Sequence, residues 1–300
     1  LMGGIGRERE VSLQSGACAA QALAREEAGL HVMAWDIGPD RLDILDDPTV
    51  DVFFLALHGP FGEDGQLQAI LEQKGLVYTG SGSQACQLSF DKMASKCSFV
   101  QAGIETPKAL EFTADTGLDH FERDLKGLGL CVVVKPIRQG SSVGVTILDR
   151  PDQVLPTCQQ TLAEFGDCMV EQFIAGREIT VGVLLGRALP VIEIRPAQGF
   201  YDYHAKYLDD QTQYLFDTLA APVEESVQAQ ALACFNVLGM RHFGRIDFIL
   251  GPDGKAYVLE ANAIPGLTSH SLLPKAAARI GMSMSNLCSQ VVMAAYEDRR

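Results

Sequence analysis

The sequence has few of the features that announce a specialised environment. No uninterrupted apolar run approaches the roughly 20 residues needed to cross a bilayer, and no basic-then-apolar leader opens the numbered residues. The expectation is a cytoplasmic protein with no membrane partner. Basic charge is in deficit: 24 Lys and Arg face 38 Asp and Glu, for a formal net charge of -14. With no Lys/Arg cluster to track a phosphate backbone, nucleic acid is not an expected partner, and any bound phosphate should be small and locally held. There is no Cys-x-x-Cys pair and no His at zinc spacing among the cysteines at 18, 86, 97, 131, 158, 168, 234 and 288. That scatter suggests reduced, mostly buried thiols rather than a disulfide framework or a zinc site. Internal repeats and low-complexity segments are absent too. The pairs Gly3-Gly4 and Gly80-Ser81-Gly82 do not complete the Gly-x-Gly-x-x-Gly dinucleotide fingerprint.

What is present is apolar: 47% of 300 residues are hydrophobic and only 21% are charged, enough for two or three subdomains. The opening Leu1-Met2-Gly3-Gly4 sets an apolar pair directly against a glycine turn, so most of a first strand is expected to precede the numbering. Helical spacing over residues 10 to about 28, a continuous apolar run at 51–57, a helix at 66–74 and a short strand at 76–78 predict a small open α/β unit. A helix follows Asp91-Lys92 as far as Gly103, and Thr106-Pro107 breaks it. Strands are predicted at 131–134 and 145–148 around the glycine- and hydroxyl-rich tip Arg138 to Gly144, then at 168–174, 178–185 and 189–194. Residues 198–213 have no clean period and suggest a long functional loop. Helices are expected at 226–238, 271–280 and 285–296.

A hairpin near the C-terminus carries the clearest chemistry. Residues 245–250 and 255–260 flank Gly251-Pro252-Asp253-Gly254, a turn sequence. If only those four lie outside the ladder, Leu250 faces Lys255, Arg245 faces Glu260 and Asp247 faces Val258. Arg245, Asp247, Glu260 and Asn262 then share one face, with Asp247 diagonal to Glu260. Two carboxylates and an amide on rigid strands suit a hard cation that keeps water and phosphate ligands. Arg245 and Glu260 alone would read more simply as a surface ion pair.

The ordered motifs Glu8-Arg9-Glu10-Val11-Ser12, His58-Gly59 with Gly62-Glu63-Asp64-Gly65, Asp91-Lys92, Val134-Lys135-Pro136, Gly140-Ser141-Ser142-Val143-Gly144, Phe200 to Tyr203 with Ala205-Lys206-Tyr207, Gly244 to Asp247, and Leu259 to Asn262 with Pro265 to Ser271 span nearly the whole chain. In this order they resemble the D-alanine:D-alanine ligases of the ATP-grasp superfamily. The resemblance implies an α/β (α+β) ATP-grasp fold in three domains, 1–91, 92–175 and 176–300, with ATP held between two mainly antiparallel sheets. It also implies a homodimer acting in peptidoglycan precursor synthesis. Its chemistry would be phosphorylation of one D-alanine by ATP to an acyl phosphate, then displacement of phosphate by the amine of a second D-alanine.

By the same resemblance Asp247, Glu260 and Asn262 hold two Mg²⁺ or Mn²⁺ ions, and Arg245 stabilises the transferred phosphoryl group or the oxyanion. Lys92, Lys135 and Lys206 serve the nucleotide phosphates together with Ser142, while Glu171 and Glu178 meet adenine and ribose. Glu8 pairs with the ammonium of the first D-alanine, with Ser141 and Tyr207 as its partners and His58 nearby. Gly266, Ser271 and Leu272 meet the second D-alanine, and Tyr207, where a histidine would accompany D-lactate, implies D-alanine at both positions. Read alone, Glu8 is an exposed acid in a helix's first turn, Lys135 could snorkel from a strand end, and Gly140 to Gly144 is a plain hairpin tip. Gly6, Gln139 and Ala263-Ile264 depart from the family's usual residues without removing a charge assigned above. Another ATP-grasp carboxylate-amine ligase, such as a D-alanine:D-lactate enzyme, and a non-catalytic nucleotide-binding protein are the competing readings.

Overall fold

The computed structural model describes residues 1–25, 29–196 and 211–298. Its strands form three sheets. One is antiparallel with the order Gln213–Leu215, Ile192–Arg195, Arg177–Leu184, Phe243–Leu250, Ala256–Asn262, and Arg187–Ala188 pairs with the third of these. A second, also antiparallel, runs Ala109–Phe112, Cys168–Gln172, Val132–Pro136, Thr146–Leu148. The third is a short parallel pair, Met2–Gly3 with Asp36–Ile37. Ile179, Val181 and Val183 alternate along Arg177–Leu184 and are fully buried, so period-two patterning sets which face meets the core.

Three apolar clusters hold these layers. One joins the first 80 residues to the C-terminal helices through Leu55, Leu57, Phe61, Leu273 and Val291. Another packs helix Ala221–Val237 and Phe99 of helix Lys92–Gln101 on the larger sheet. The third fills the smaller sheet against helices Leu118–Leu125 and Pro151–Phe165. Helix Lys92–Gln101 starts where it does because the Asp91 carboxylate accepts from the Ala94 N–H, an N-cap. All eight cysteines are free thiols, and five are buried. Among the described residues no helix is long and apolar enough to cross a membrane.

Several sequence expectations change. The run 51–57 is mostly buried and pairs with its neighbours on both sides, through an isolated bridge from Phe53 to Tyr78, the Phe54 carbonyl accepting from the Leu1 ammonium and the Ala56 N–H donating to the Leu1 carbonyl, without forming a continuous strand ladder. The first helix stops at Leu23, and residues 26–28 are outside the described set. Strand Ala109–Phe112 and helices Leu118–Leu125 and Pro151–Phe165 were not legible in advance. Residues 197–210, most of the expected loop, lie outside the described residues, and Lys206 and Tyr207 with them.

The hairpin register also differs. Gly251 N–H bonds the Lys255 carbonyl, so the ladder begins at Leu250 opposite Ala256, one residue later than expected. Phe248 then faces Val258, both fully buried. In a regular strand Glu260 would join Val258 in the core. A bulge between Asp247 and Phe248 lets Leu259 be the extra residue, so Asp247 faces Glu260 and Arg245 faces Asn262. The expected face therefore forms, by a one-residue slip and a compensating bulge.

Candidate active site

Asp247 is the centre of that face. Its carboxylate accepts from Arg245 Nε and Nη2 at 2.8 Å each, from Thr180 Oγ1 at 2.5 Å and from Asn262 Nδ2 at 3.0 Å. Because the bulge turns two consecutive residues the same way, Leu259 and Glu260 both line a cleft between the two antiparallel sheets. Lys135, Ser142, Glu171, Glu178, Asp247 and Lys92 line it too, with Val133, Ile147 and Ile249 as apolar walls. Lys92 reaches across, donating to the Gln139 carbonyl at 2.7 Å and lying 3.3 Å from Glu260 Oε2.

Lys135 is buried, and among the described residues its anionic partner is Glu171 at 2.7 Å. Glu171 is fully enclosed. Burial works against its ionisation, but Lys135 and Lys96 outweigh that and hold its carboxyl below the usual range. Lys96, which sequence reading passed over, lies 2.5 Å from the other Glu171 oxygen. Helical spacing from Lys92 puts it on the same face of the helix, a signal that could have found it.

Glu260 also lines a second pocket, with Glu8, His58, Glu63, Ser141, Arg245, Asn262, Gly266, Ser271 and Leu272. Glu8 is buried rather than exposed. It sits just ahead of helix Arg9–Leu23, and the Ser141 hydroxyl donates to its Oε1. Burial, then the nearby charge of Glu63, raises the Glu8 pKa above the ordinary carboxylate value, opposed by Ser141 and His58. Its Oε2 is enclosed and has no hydrogen-bond partner among the described residues. Ser141 reaches Glu8 from the left-handed region at φ 55°, and its neighbour Ser142, which lines the cleft, stands at φ 58°, both strained conformations for non-glycine residues. A Cβ on Gly140 would stand 2.9 Å from both Glu8 oxygens, so only glycine lets the loop approach.

His58 is fixed by Ser15, whose hydroxyl lies 3.0 Å from Nε2, while its Nδ1 is 3.7 Å from Glu63. Glu63 Oε2 accepts from Gly59 N–H at 2.8 Å. Ser271 precedes helix Leu272–Arg279, and its Oγ accepts from Thr268 N–H at 3.0 Å. A Cβ on Gly266 would come within 2.6 Å of that Oγ.

Two family models meet on this arrangement. One described as D-ala D-ala ligase C-terminus matches residues 99–293, and one described as D-ala D-ala ligase N-terminus matches residues 40–81. The chain belongs to the D-alanine–D-alanine ligase family. It is 41% identical over 303 residues to the D-alanine–D-alanine ligase of Syntrophotalea carbinolica, covering 98% of this chain and 94% of that one. A relative of the same name from Cupriavidus necator is also 41% identical, covering 99% and 91%. Among solved structures, Bacillus anthracis D-alanine–D-alanine ligase complexed with ATP superposes with a TM-score of 0.86 at 31% identity over 99% of this chain and 96% of that one. The VanG D-Ala:D-Ser ligase of Enterococcus faecalis gives 0.83 at 26%, over 98% and 97%. The fold is the ATP-grasp fold of these ligases, with the cleft between its two antiparallel sheets.

Proposed function

We propose that this chain is an ATP-dependent ligase that joins two D-alanine molecules into D-alanyl-D-alanine through an acyl phosphate, releasing ADP and phosphate for peptidoglycan precursor synthesis. The observation that supports it most is the adjacency of two unlike pockets sharing Glu260: a lysine-lined cleft and a pocket holding a buried carboxylate with one unsatisfied oxygen. That oxygen is the kind of acceptor an ammonium satisfies, which fits Glu8 as the anchor of the first D-alanine.

In this reading Lys92 and Lys135 bind the nucleotide phosphates with Ser142 and Lys206, and the apolar walls enclose adenine near Glu171 and Glu178. Ser141 orients Glu8, so the first substrate's carboxylate points toward the transferred phosphoryl. Its oxygen attacks, and ADP leaves. Arg245, which lines the Glu8 pocket beside Glu260, offsets negative charge as it builds on the transferred phosphoryl and again as the second amine attacks the acyl phosphate. Gly266 and Ser271 leave room for the second D-alanine's carboxylate at the start of helix Leu272–Arg279, whose free N–H groups favour an anion. The amine must lose a proton on attack. Glu8 and the His58–Glu63 pair line the same pocket.

Magnesium, two ions per site, or manganese in its place, fits the donors present. Among the described residues no three His, Cys, Asp or Glu side chains converge as a metal cage. Asp247 and Glu260 with the Asn262 amide offer a short set of hard oxygens, which suits an ion that takes its remaining ligands from phosphate and water. When bound it would neutralise charge on the phosphates.

A cytoplasmic homodimer completes the proposal, and Tyr207 supports D-alanine over D-lactate as second substrate. The test is phosphate release from Mg-ATP with D-alanine, L-alanine, D-lactate or no addition. D-alanine alone should release phosphate, and release indifferent to D-alanine rejects the reading.

A further inference from the structure

The lysine cluster behind the cleft holds more charge than a structural role needs. Lys135 and Glu171 line the cleft, whereas Lys96 stands behind them and does not. Lys135 and Glu171 alone, 2.7 Å apart, would be a closed neutral pair with little field to offer a ligand. Lys96, buried and 2.5 Å from the other Glu171 oxygen, changes that count: two cations now share one anion.

The remaining bonds of Lys96 tie it to the linker at 106–107. Its ammonium donates to Thr106 Oγ1 at 2.6 Å and to the Pro107 carbonyl at 2.9 Å. Thr106 in turn donates to the Val258 carbonyl at 2.7 Å, on the strand that carries Glu260 and Asn262. An unbranched apolar side chain of similar length would fill this space without a desolvated charge, so the charge itself needs a reason. We propose that Lys96 is a positioning residue that neutralises Glu171 and so leaves the charge of Lys135 available to a nucleotide phosphate, an inference that rests on the nucleotide reading of the cleft. Glu171 keeps Lys135 aimed, and Lys96 keeps Glu171 from cancelling it.

Burial, opposed by Glu171 and reinforced by Lys135, brings the Lys96 pKa down to about 8. Among the described residues Glu171 and Lys135 are the charged groups that face it, from strands Cys168–Gln172 and Val132–Pro136; the linker at 106–107 presents only a hydroxyl and a carbonyl.

Calorimetric titration with MgADP and, separately, with uncharged adenosine tests this on wild type, Lys96→Met, and Lys96→Met combined with Glu171→Gln. Lys96→Met should weaken MgADP by at least about tenfold and adenosine by less than about threefold, because only the phosphates feel the charge. Because Glu171 also stands beside the adenine in the nucleotide reading, the double variant is judged by the ratio of its MgADP and adenosine affinities: adding Glu171→Gln should return that ratio most of the way to the wild-type value. Equal weakening of both ligands, unchanged MgADP binding, or no rescue overturns the inference. Should Lys96→Met fail to fold, wild type decides: MgADP affinity should fall from about pH 7 to about pH 9 as Lys96 loses its proton while adenosine affinity holds, and parallel profiles overturn it. Wild-type protein that binds neither ligand would reject the nucleotide reading itself, and this inference with it.

Discussion

Replacing Asp247 by Asn probes the bulged hairpin directly. The Asp247 carboxylate is buried and accepts from four donors on three residues, Arg245 twice, Thr180 and Asn262. An amide has one acceptor oxygen, and its NH₂ would point at donors. Whichever way it flips, it faces either Arg245 Nη2 and Asn262 Nδ2 or Arg245 Nε and Thr180 Oγ1. Breaking a buried ion pair by removing one partner costs about 3–5 kcal/mol. The Arg245 side chain keeps 14% exposure and some hydration, and the amide oxygen still accepts from two of the four donors, so the expected loss is about 2–4 kcal/mol. Urea unfolding of wild type and variant, without nucleotide or metal, measures it. Thr180→Val, which deletes one donor and leaves the charge pair, should lose only about 1 kcal/mol. A loss below about 1 kcal/mol for Asp247→Asn, within the range of surface ion pairs, would refute the convergence of donors and the register that creates it.

Other expected outcomes concern separate parts of the molecule. Ser141→Ala removes the donor to Glu8 Oε1 and leaves a buried carboxylate with no hydroxyl to orient it among the described residues, so kcat/KM for the first D-alanine should fall about tenfold to a hundredfold; an unchanged value would contradict the role given to the pair. Gly266→Ala sets a methyl 2.6 Å from Ser271 Oγ and should raise KM for the second amino acid with little change in KM for ATP, measured by initial rates. Burial opposes ionisation of Glu193, but hydrogen bonds from Arg177 and Arg195 bring its carboxyl down to about 2. Because the folded value lies below the ordinary one of 4.5, the stabilisation is complete above that pH and is lost as pH falls toward about 2. Glu193→Gln should therefore flatten the acid limb of a stability–pH curve, and an unaltered slope would count against the pairing.

Much of this site was legible from residue types and order, because hairpin turns and strand alternation leave strong local marks. The hairpin shows the limit. Its turn chemistry located both strands, yet alternation alone put Val258 opposite Asp247, and neither the later start of the ladder nor the bulge at Leu259 has a mark in the sequence. A bulge is set by packing: Val258 is wanted in the core and Glu260 at the cleft. Glu8 looked like an exposed helix-start acid because its burial depends on Gly140 and Ser141, more than 130 residues away. Lys96 was passed over for a similar reason. Its surroundings come from a strand, a linker and a helix that only the fold brings together.

The central claim is that the two pockets joined at Glu260 couple ATP cleavage to amide formation between two D-alanines. The most direct measurement is a single incubation of the protein with Mg-ATP and equal concentrations of D-alanine, D-serine and D-lactate, with the products resolved by mass and counted against ADP. D-alanyl-D-alanine should be the main product, with one ADP formed for each. A D-alanyl-D-serine or D-alanyl-D-lactate majority, or ADP formed without a dipeptide, would contradict the account.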